Sequence, residues 1–131
     1  MGVTYEKGLR LHGLGSEPLL QALPQAGDDA SGNGCDRVFQ GLGPGDWLWT
    51  VPNTFVASAN CGRYCGAQVD FVDIDARSWN MSVAALRAKL ETARIESRLP
   101  KVVVPVHFAG QPTEQEAIWE LAKEYGFRVI E

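Results

Sequence analysis

From Asp46 onward, short apolar runs alternate with longer segments whose apolar positions recur every three or four residues. The short runs are rich in β-branched and aromatic residues, which favours strands at residues 47–51, 69–72, 102–104 and 127–130. Residues 102–104 are continuously apolar, a pattern typical of a strand that is covered on both faces. The pattern therefore predicts four strands in the second part of the chain.

Helical segments are predicted in each of the three intervals between those strands. The first covers residues 54–65 and is stopped by Gly66, and the second follows an N-terminal cap at Ser82 and is ended by Pro100. The third begins with a capping box at residues 113–116, in which Thr113 and Glu116 bond each other's backbone N–H groups, and ends at Gly126.

This order of elements predicts an α/β fold with a mostly parallel sheet, flanking helices and right-handed crossovers. In open sheets of this kind, ligands bind beyond the carboxyl ends of the strands. The last predicted strand is followed only by Glu131. We therefore expect residues 38–131 to be part of a larger domain.

Residues 1–37 differ from the rest of the chain. Ten of the 14 glycines lie in residues 1–45, and no helical or strand period is sustained in residues 2–34. Such a segment does not bury a continuous apolar face. We expect residues 1–37 to form a poorly ordered arm, with a short helix near residues 18–23 as an option.

Composition excludes several classes of protein. The chain has 131 residues, 45% of them hydrophobic, and a net charge of −4, so a packed core is expected and a nucleic-acid partner is not. No apolar stretch approaches the roughly 20 residues that a membrane span requires, and the N-terminus does not resemble a signal peptide. We expect a soluble, cytoplasmic protein with no membrane partner.

The cysteines give little indication of a metal site or disulfide framework. Cys35, Cys61 and Cys65 are few and odd in number, and Cys61 and Cys65 share one face of the first predicted helix. They could bind a metal, but a second pair of ligands is missing. We therefore expect core packing and no metal site.

The predicted strand ends carry four candidate functional residues. Phe55 offers an aromatic face to a flat ligand, although core packing is the more common role of such a residue. Asp73 and Asp75 have a spacing that suits a divalent cation or a ribose, with a solvated turn as the alternative. His107 could exchange protons near neutral pH, but a structural histidine is the more frequent case.

Several stretches in register resemble one known family. They are GLGPGD at residues 41–46, WTVPNTFVASANCGRYCGAQVDFVDID at 49–75, NMSVAALRAKLE at 80–91, PKVVVPVHFAGQ at 100–111 and VIE at 129–131. Their order and spacing resemble the DegT/DnrJ/StrS family of nucleotide-sugar aminotransferases, which depend on pyridoxal 5'-phosphate (PLP). Within that family, they are most similar to the branch that aminates a UDP-linked 4-keto-6-deoxy-hexosamine in the pseudaminic-acid pathway.

The resemblance implies a fold type I PLP transferase, with this chain supplying central strands of the large domain. It also implies a nucleotide-sugar substrate, an amino-acid donor and a homodimeric intact enzyme active in surface-polysaccharide or nonulosonic-acid biosynthesis. Phe55 matches the aromatic residue that stacks on the cofactor ring, which makes cofactor binding its preferred role. His107 matches a loop near the site and carries no implied catalytic role.

Three family features are not found in this chain. Residues 31–37 do not reproduce the phosphate-binding turn, and the aspartate that pairs with the pyridine nitrogen is expected directly after Glu131. None of the four lysines, which are Lys7, Lys89, Lys101 and Lys123, lies in the motif of the Schiff-base lysine, and Lys89 and Lys123 are expected to face solvent. We therefore predict no catalytic residue in this chain and no activity of the chain on its own.

Two other functions remain open on the sequence. The chain could be a non-catalytic remnant, or an α/β fragment that binds a partner through the exposed apolar faces of an incomplete sheet. It could also be a nucleotide-binding module that uses Asp73 and Asp75, although a glycine-rich turn after the first strand is missing.

Overall fold

A computed structural model of the chain describes residues 11–12 and 41–131. These residues form a five-stranded sheet with the spatial order β1-β5-β4-β2-β3. The strands are β1 (Leu11–His12), β2 (Trp47–Thr50), β3 (Gln68–Phe71), β4 (Val102–Val103) and β5 (Arg128–Ile130). Strands β2 to β5 are mutually parallel, which confirms the predicted α/β sheet, and β1 runs antiparallel to β5.

Three α-helices connect the parallel strands. They are α1 (Ala57–Tyr64), α2 (Val83–Ile95) and α3 (Gln115–Tyr125). A short 3-10 helix, Phe108–Gly110, lies between β4 and α3. Each helix lies in the interval that the sequence pattern indicates.

Two of the helix ends follow the predicted local chemistry. The Ser82 hydroxyl accepts a hydrogen bond from the backbone N–H of Ala85 at 3.2 Å, so it caps α2 as predicted. Gly126 ends α3 with φ at +79°, a left-handed conformation that costs glycine little. Helix α2 already ends at Ile95, and Pro100 lies in the connection to β4.

The predicted capping box at Thr113 is wrong. Glu114 occupies the N-cap position of α3, and its side chain makes no capping hydrogen bond. The Thr113 hydroxyl is buried and has no hydrogen-bond partner among the described residues. The backbone N–H of Thr113 instead donates to Nδ1 of His107 at 3.1 Å, so a long-range contact sets the entry to the helix.

The sheet buries apolar side chains on both faces. Helices α2 and α3 cover one face, where Leu86, Leu90 and Leu121 pack in one cluster with Trp49 and Val103. Alternate residues of the strands point to the other face. There a second cluster, which includes Leu48, Cys61, Val102, Val104 and Ile130, lies against α1. The continuous apolar run at residues 102–104, which contains β4, is thus buried from both sides, as predicted.

Helix α1 approaches the sheet closely at Gly62. A Cβ atom on this glycine would lie 3.1 Å from Cβ of Leu48 and 3.2 Å from Cγ2 of Val69. Cys61 is buried beside it, and its thiol donates to the backbone carbonyl of Ser58 at 3.1 Å. Cys61 therefore packs in the core, as expected.

The poorly ordered arm expected for residues 1–37 stays a prediction. Leu11 and His12 are described, and they pair with Ile130 and Val129 of β5. The remainder of residues 1–37, including the optional helix near residues 18–23 and Cys35, lies outside the described residues.

Candidate functional site

The carboxyl ends of the four parallel strands open into loops at one edge of the sheet. Backbone hydrogen bonds continue the pairing beyond the strands, since Val72 N–H donates to the Thr50 carbonyl and Val104 N–H to the Trp49 carbonyl, both at 2.8 Å. The Thr50 hydroxyl adds a bond to the carbonyl of Val104 at 3.0 Å. These hydrogen bonds therefore hold the strand ends from which the loops carrying Phe55, Asp73 and His107 begin.

Phe55 lies in the loop between β2 and α1, with 78% of its surface exposed. The helix begins at Ala57, later than the predicted residue 54, so Phe55 precedes the helix instead of lying one turn inside it. Its carbonyl accepts the N–H of Ser58 at 3.0 Å. The ring therefore lies outside the core and presents an open aromatic face at the strand-end edge.

Asn80 joins two of the loops at this edge. Its side-chain amide donates to the carbonyls of Gln111 at 3.0 Å and Pro112 at 2.8 Å, and its Oδ1 accepts the N–H of Phe108 at 2.9 Å. Asn80 is only 3% exposed, so these bonds replace water that the side chain has lost. The loop after β4 is thereby fixed against the loop after β3.

An aromatic pair lies directly beside Asn80. The rings of Trp79 and Phe108 stack with centroids 5.7 Å apart, and the Trp79 carbonyl accepts a bond from the Asn53 amide at 2.9 Å. Trp79 and Ala109 both have positive φ, at +62° and +50°. Non-glycine residues hold such conformations only where surrounding contacts compensate for the strain. The Asn80 contacts supply that compensation here.

Asp73 and Asp75 bond to nearby backbone groups. Oδ1 of Asp75 accepts the N–H groups of Ser78 and Arg77 at 2.9 and 3.0 Å, and these bonds lower the pKa of the carboxyl. Oδ1 of Asp73 accepts the N–H of Ile74. No group of potential metal ligands occurs among the described residues. The geometry favours the turn over a cation or ribose site.

His107 belongs to a polar cluster at the carboxyl end of β5. Its Nε2 lies 3.4 Å from Oε2 of Glu131, and the side-chain amide of Gln115 donates to that same oxygen at 2.6 Å. The Glu131 side chain is only 6% exposed, whereas that of His107 is 34% exposed. The structure thus brings the candidate His107 together with Glu131, which follows the last strand, and Gln115 joins them.

The lysines that the structure describes lie away from the strand-end loops or contact other side chains. Lys101 lies at the opposite edge, where its ammonium binds Asp46 at 2.8 Å and also contacts the carbonyl of Gly41. Lys123 is exposed on α3, as predicted. The expectation that Lys89 faces solvent is wrong, because its ammonium lies 5.0 Å above the Trp49 ring and 2.7 Å from Asp70. A long lysine stem packs along apolar surface in this way.

Sequence reasoning missed Asn80, Trp79 and Gln115. The partners of Asn80 are 28 to 32 residues away in the chain. Gln115 reaches Glu131 across 16 residues. Neither local periodicity nor capping rules encode such contacts, so only the folded arrangement identifies these residues.

Comparison with known proteins identifies the family of this arrangement. Residues 37–131 match the sequence profile of the DegT/DnrJ/EryC1/StrS aminotransferase family. The chain belongs to this aminotransferase family. The family depends on PLP, and the described sheet and helices are part of a PLP-transferase fold.

Individual relatives agree with this assignment. The chain is 40% identical over 94 residues to a GDP-perosamine synthase of Caulobacter vibrioides, covering 72% of this chain and 24% of that one. It is 39% identical over 90 residues to the UDP-N-acetyl-3-dehydro-alpha-D-glucosamine 3-aminotransferase of Acidithiobacillus ferrooxidans, covering 69% and 23%. The chain thus spans about a quarter of the length of these relatives.

A solved structure of a family member has the same fold. The DegT/DnrJ/EryC1/StrS aminotransferase of Brucella abortus superposes with a TM-score of 0.67 at 32% identity, over 72% of this chain and 26% of that one. Among the described residues, no helix is both long and apolar enough to span a bilayer.

Among the described residues, Phe55 is placed to contact a PLP ring. The exposed face of Phe55 lies at the strand-end edge, where it can stack on a flat aromatic group. None of the lysines described by the structure is available there, since Lys89 and Lys101 bind carboxylates and Lys123 lies on the outer surface of α3. Lys7 lies outside the described residues.

Proposed function

We propose that this chain is part of a PLP-dependent aminotransferase that moves an amino group from glutamate to a UDP-linked 4-keto-6-deoxy sugar. The observation that carries the proposal is the family match over residues 37–131. Its relatives include enzymes named for amino transfer to nucleotide sugars, among them a UDP-4-amino-4-deoxy-L-arabinose–oxoglutarate aminotransferase of Shewanella sediminis at 38% identity. Oxoglutarate in that name supports glutamate as the donor.

In the proposed enzyme, the described residues bind the cofactor ring and hold the loops around it in place. Phe55 stacks on the cofactor ring, which, when bound, supplies the electron sink for amino transfer. Asn80 holds the two loops beside the ring in place, and the cluster of Gln115, His107 and Glu131 fixes the end of β5. We propose that the lysine and the aspartate that complete the site come from outside this chain, so the chain alone transfers no amino group.

The biological setting of the proposal is the synthesis of surface polysaccharide or nonulosonic acid, with pseudaminic acid as the specific product pathway. A spore coat polysaccharide biosynthesis protein of Bacillus subtilis, 40% identical over 92 residues, supports the broader setting. We further propose that the complete enzyme is a cytoplasmic homodimer.

The first test is the sequence of the gene's transcript on both sides of residues 1–131. The proposal expects, in some frame, an Asp-Ala-x-His-Ala continuation after Glu131 and a lysine motif further downstream. A stop codon with no family-like sequence beyond it would contradict an active enzyme. Assays then compare the 131-residue chain with the longer protein, using PLP, glutamate and the keto sugar. Turnover by the 131-residue chain alone would refute its proposed inactivity.

A second candidate function is a non-catalytic fragment that binds a partner. It is favoured by the exposed large apolar side chains, which are Phe55, Val56, Tyr64, Phe71, Trp79 and Ile95. Light scattering and urea unfolding of the 131-residue chain distinguish this function from the first. A monomer that unfolds cooperatively would count against it, whereas association through these residues would support it.

A further inference from the structure

The carboxylate of Glu131 is almost withdrawn from water at the end of β5. Its side chain is 6% exposed, and a carboxylate in such a place requires hydrogen-bond donors. Two side chains from different elements approach it. Gln115, at the start of α3, lies 2.6 Å from Oε2, and His107, from the loop after β4, lies 3.4 Å from the same oxygen.

The other side of the His107 ring fixes where its proton lies. The backbone N–H of Thr113 donates to Nδ1 at 3.1 Å, so this nitrogen presents its lone pair. A neutral imidazole then carries its proton on Nε2, the atom that faces Glu131. Nε2 of Gln115 lies 3.3 Å from Nε2 of His107 because both donors approach the same carboxylate oxygen.

We propose that His107 is a positioning residue. Held as the Nε2–H tautomer by Thr113, it donates to Glu131 and ties the carboxyl end of β5 to the loop after β4. Its relevance to amino transfer rests on the proposed function, in which the strand ends around Phe55 form the cofactor site. His107 acts through Glu131, and nothing in its geometry places it on a reacting atom.

The first test reads the tautomer directly in the 131-residue chain. Long-range proton–nitrogen spectra of protein labelled with nitrogen-15 distinguish a protonated Nε2 from a protonated Nδ1. A His12→Gln variant assigns the signals, since His12 and His107 are the two histidines. The proposal expects a protonated Nε2 and a bare Nδ1 in His107. The opposite tautomer would overturn it.

Two substitutions of His107 each remove one of its two contacts and keep the other. His107→Asn keeps an acceptor for the Thr113 N–H but does not reach Glu131, whereas His107→Gln keeps a donor toward Glu131 but gives up that acceptor. The amide exchange rate of Glu131 is the readout. We expect His107→Asn to raise it about tenfold and His107→Gln to leave it within about twofold, as for loss or retention of one charged hydrogen bond.

Equal effects of the two substitutions would overturn the positioning role, because a merely structural histidine needs both of its contacts. If either variant fails to fold, the tautomer of the unaltered chain decides. These measurements require no cofactor, so they test the role of His107 separately from the proposed function. The expected tautomer and exchange rates, with no amino transfer by the longer protein, would overturn the proposed function alone.

Discussion

Oδ1 of Asn80 accepts the backbone N–H of Phe108 at 2.9 Å, which joins the loop after β3 to the loop after β4. The same side chain donates to two carbonyls of the second loop. One buried amide therefore satisfies three backbone groups of the loop after β4.

Asn80→Ala is expected to lower the free energy of unfolding by about 3 kcal/mol, since it leaves buried backbone groups without partners. Urea denaturation measures the change. Asn53→Ala is the matched control, because its amide makes one hydrogen bond, to the Trp79 carbonyl, in an exposed position. We expect the control to cost about 0.5–1 kcal/mol. Similar losses in the two variants would show that Asn80 does not join the loops.

Two hydroxyl groups at helix entrances are expected to behave in opposite ways. Ser82→Ala removes a hydrogen bond to Ala85 and should cost about 1 kcal/mol of unfolding free energy. Thr113→Val removes a buried hydroxyl that has no partner among the described residues, and replaces it with a methyl group of similar size. It should be neutral or stabilising by about 1 kcal/mol. Thermal unfolding of the two variants is the measurement, and a loss in Thr113→Val equal to that in Ser82→Ala would restore the capping box.

This pair of residues shows which features the sequence can predict. The Ser82 cap is a contact between neighbours three residues apart, so local pattern identifies it. The Thr113 motif has the same local form, but its backbone N–H is taken by His107, which comes from another element. The intervals of the parallel strands and of the helices were predictable because apolar periodicity is itself local.

The candidate site was less predictable for the same reason. The sequence pattern placed Phe55 and His107 in loops after strands, and the structure has them there. The residues that fix those loops, Asn80 and Gln115, bond across 16 to 32 residues and have no local signal. Lys89 was misjudged because its stem reaches Asp70 and the Trp49 ring on the sheet.

Gly62 is expected to resist substitution despite its position inside a helix. Alanine favours helices by about 1 kcal/mol over glycine, but here its Cβ would press against Leu48 and Val69. We expect Gly62→Ala to lower the free energy of unfolding by about 1–2 kcal/mol. Gly43→Ala is the control, since its nearest neighbour would be 4.0 Å away. A stabilised Gly62→Ala variant, measured by urea unfolding, would mean that α1 packs less closely than described.

Asp46 is expected to make stability depend on pH in the acid range. Its hydrogen bond with Lys101 holds the pKa of Asp46 below the ordinary value of 3.8. The folded state therefore binds the proton less tightly than the unfolded state, and the stabilisation is complete above that value. It is lost as the pH falls below 3.8 toward the folded pKa.

Asp46→Asn should consequently be less stable than the unaltered chain at pH 7, with the difference disappearing at acid pH. Urea unfolding at a series of pH values measures this convergence. Lys101→Met should show the same convergence, because it removes the other partner. A difference in unfolding free energy that stays constant down to the lowest pH would mean that the contribution of Asp46 does not depend on its charge.

Substitution of Phe55 is expected to change cofactor binding but not the stability of the fold. With 78% of its surface exposed, it adds little to the core, so Phe55→Ala should change the free energy of unfolding by less than about 0.5 kcal/mol. In the proposed aminotransferase, the same substitution should weaken PLP binding about tenfold, because a stacked aromatic pair is lost. Phe55→Trp should retain binding, and Tyr64→Ala, an exposed aromatic residue on α1, should leave it unchanged. A fluorescence titration with PLP measures all three. Undiminished binding by Phe55→Ala would remove Phe55 from the cofactor site, whereas weakened binding at unaltered stability would assign its ring to the cofactor.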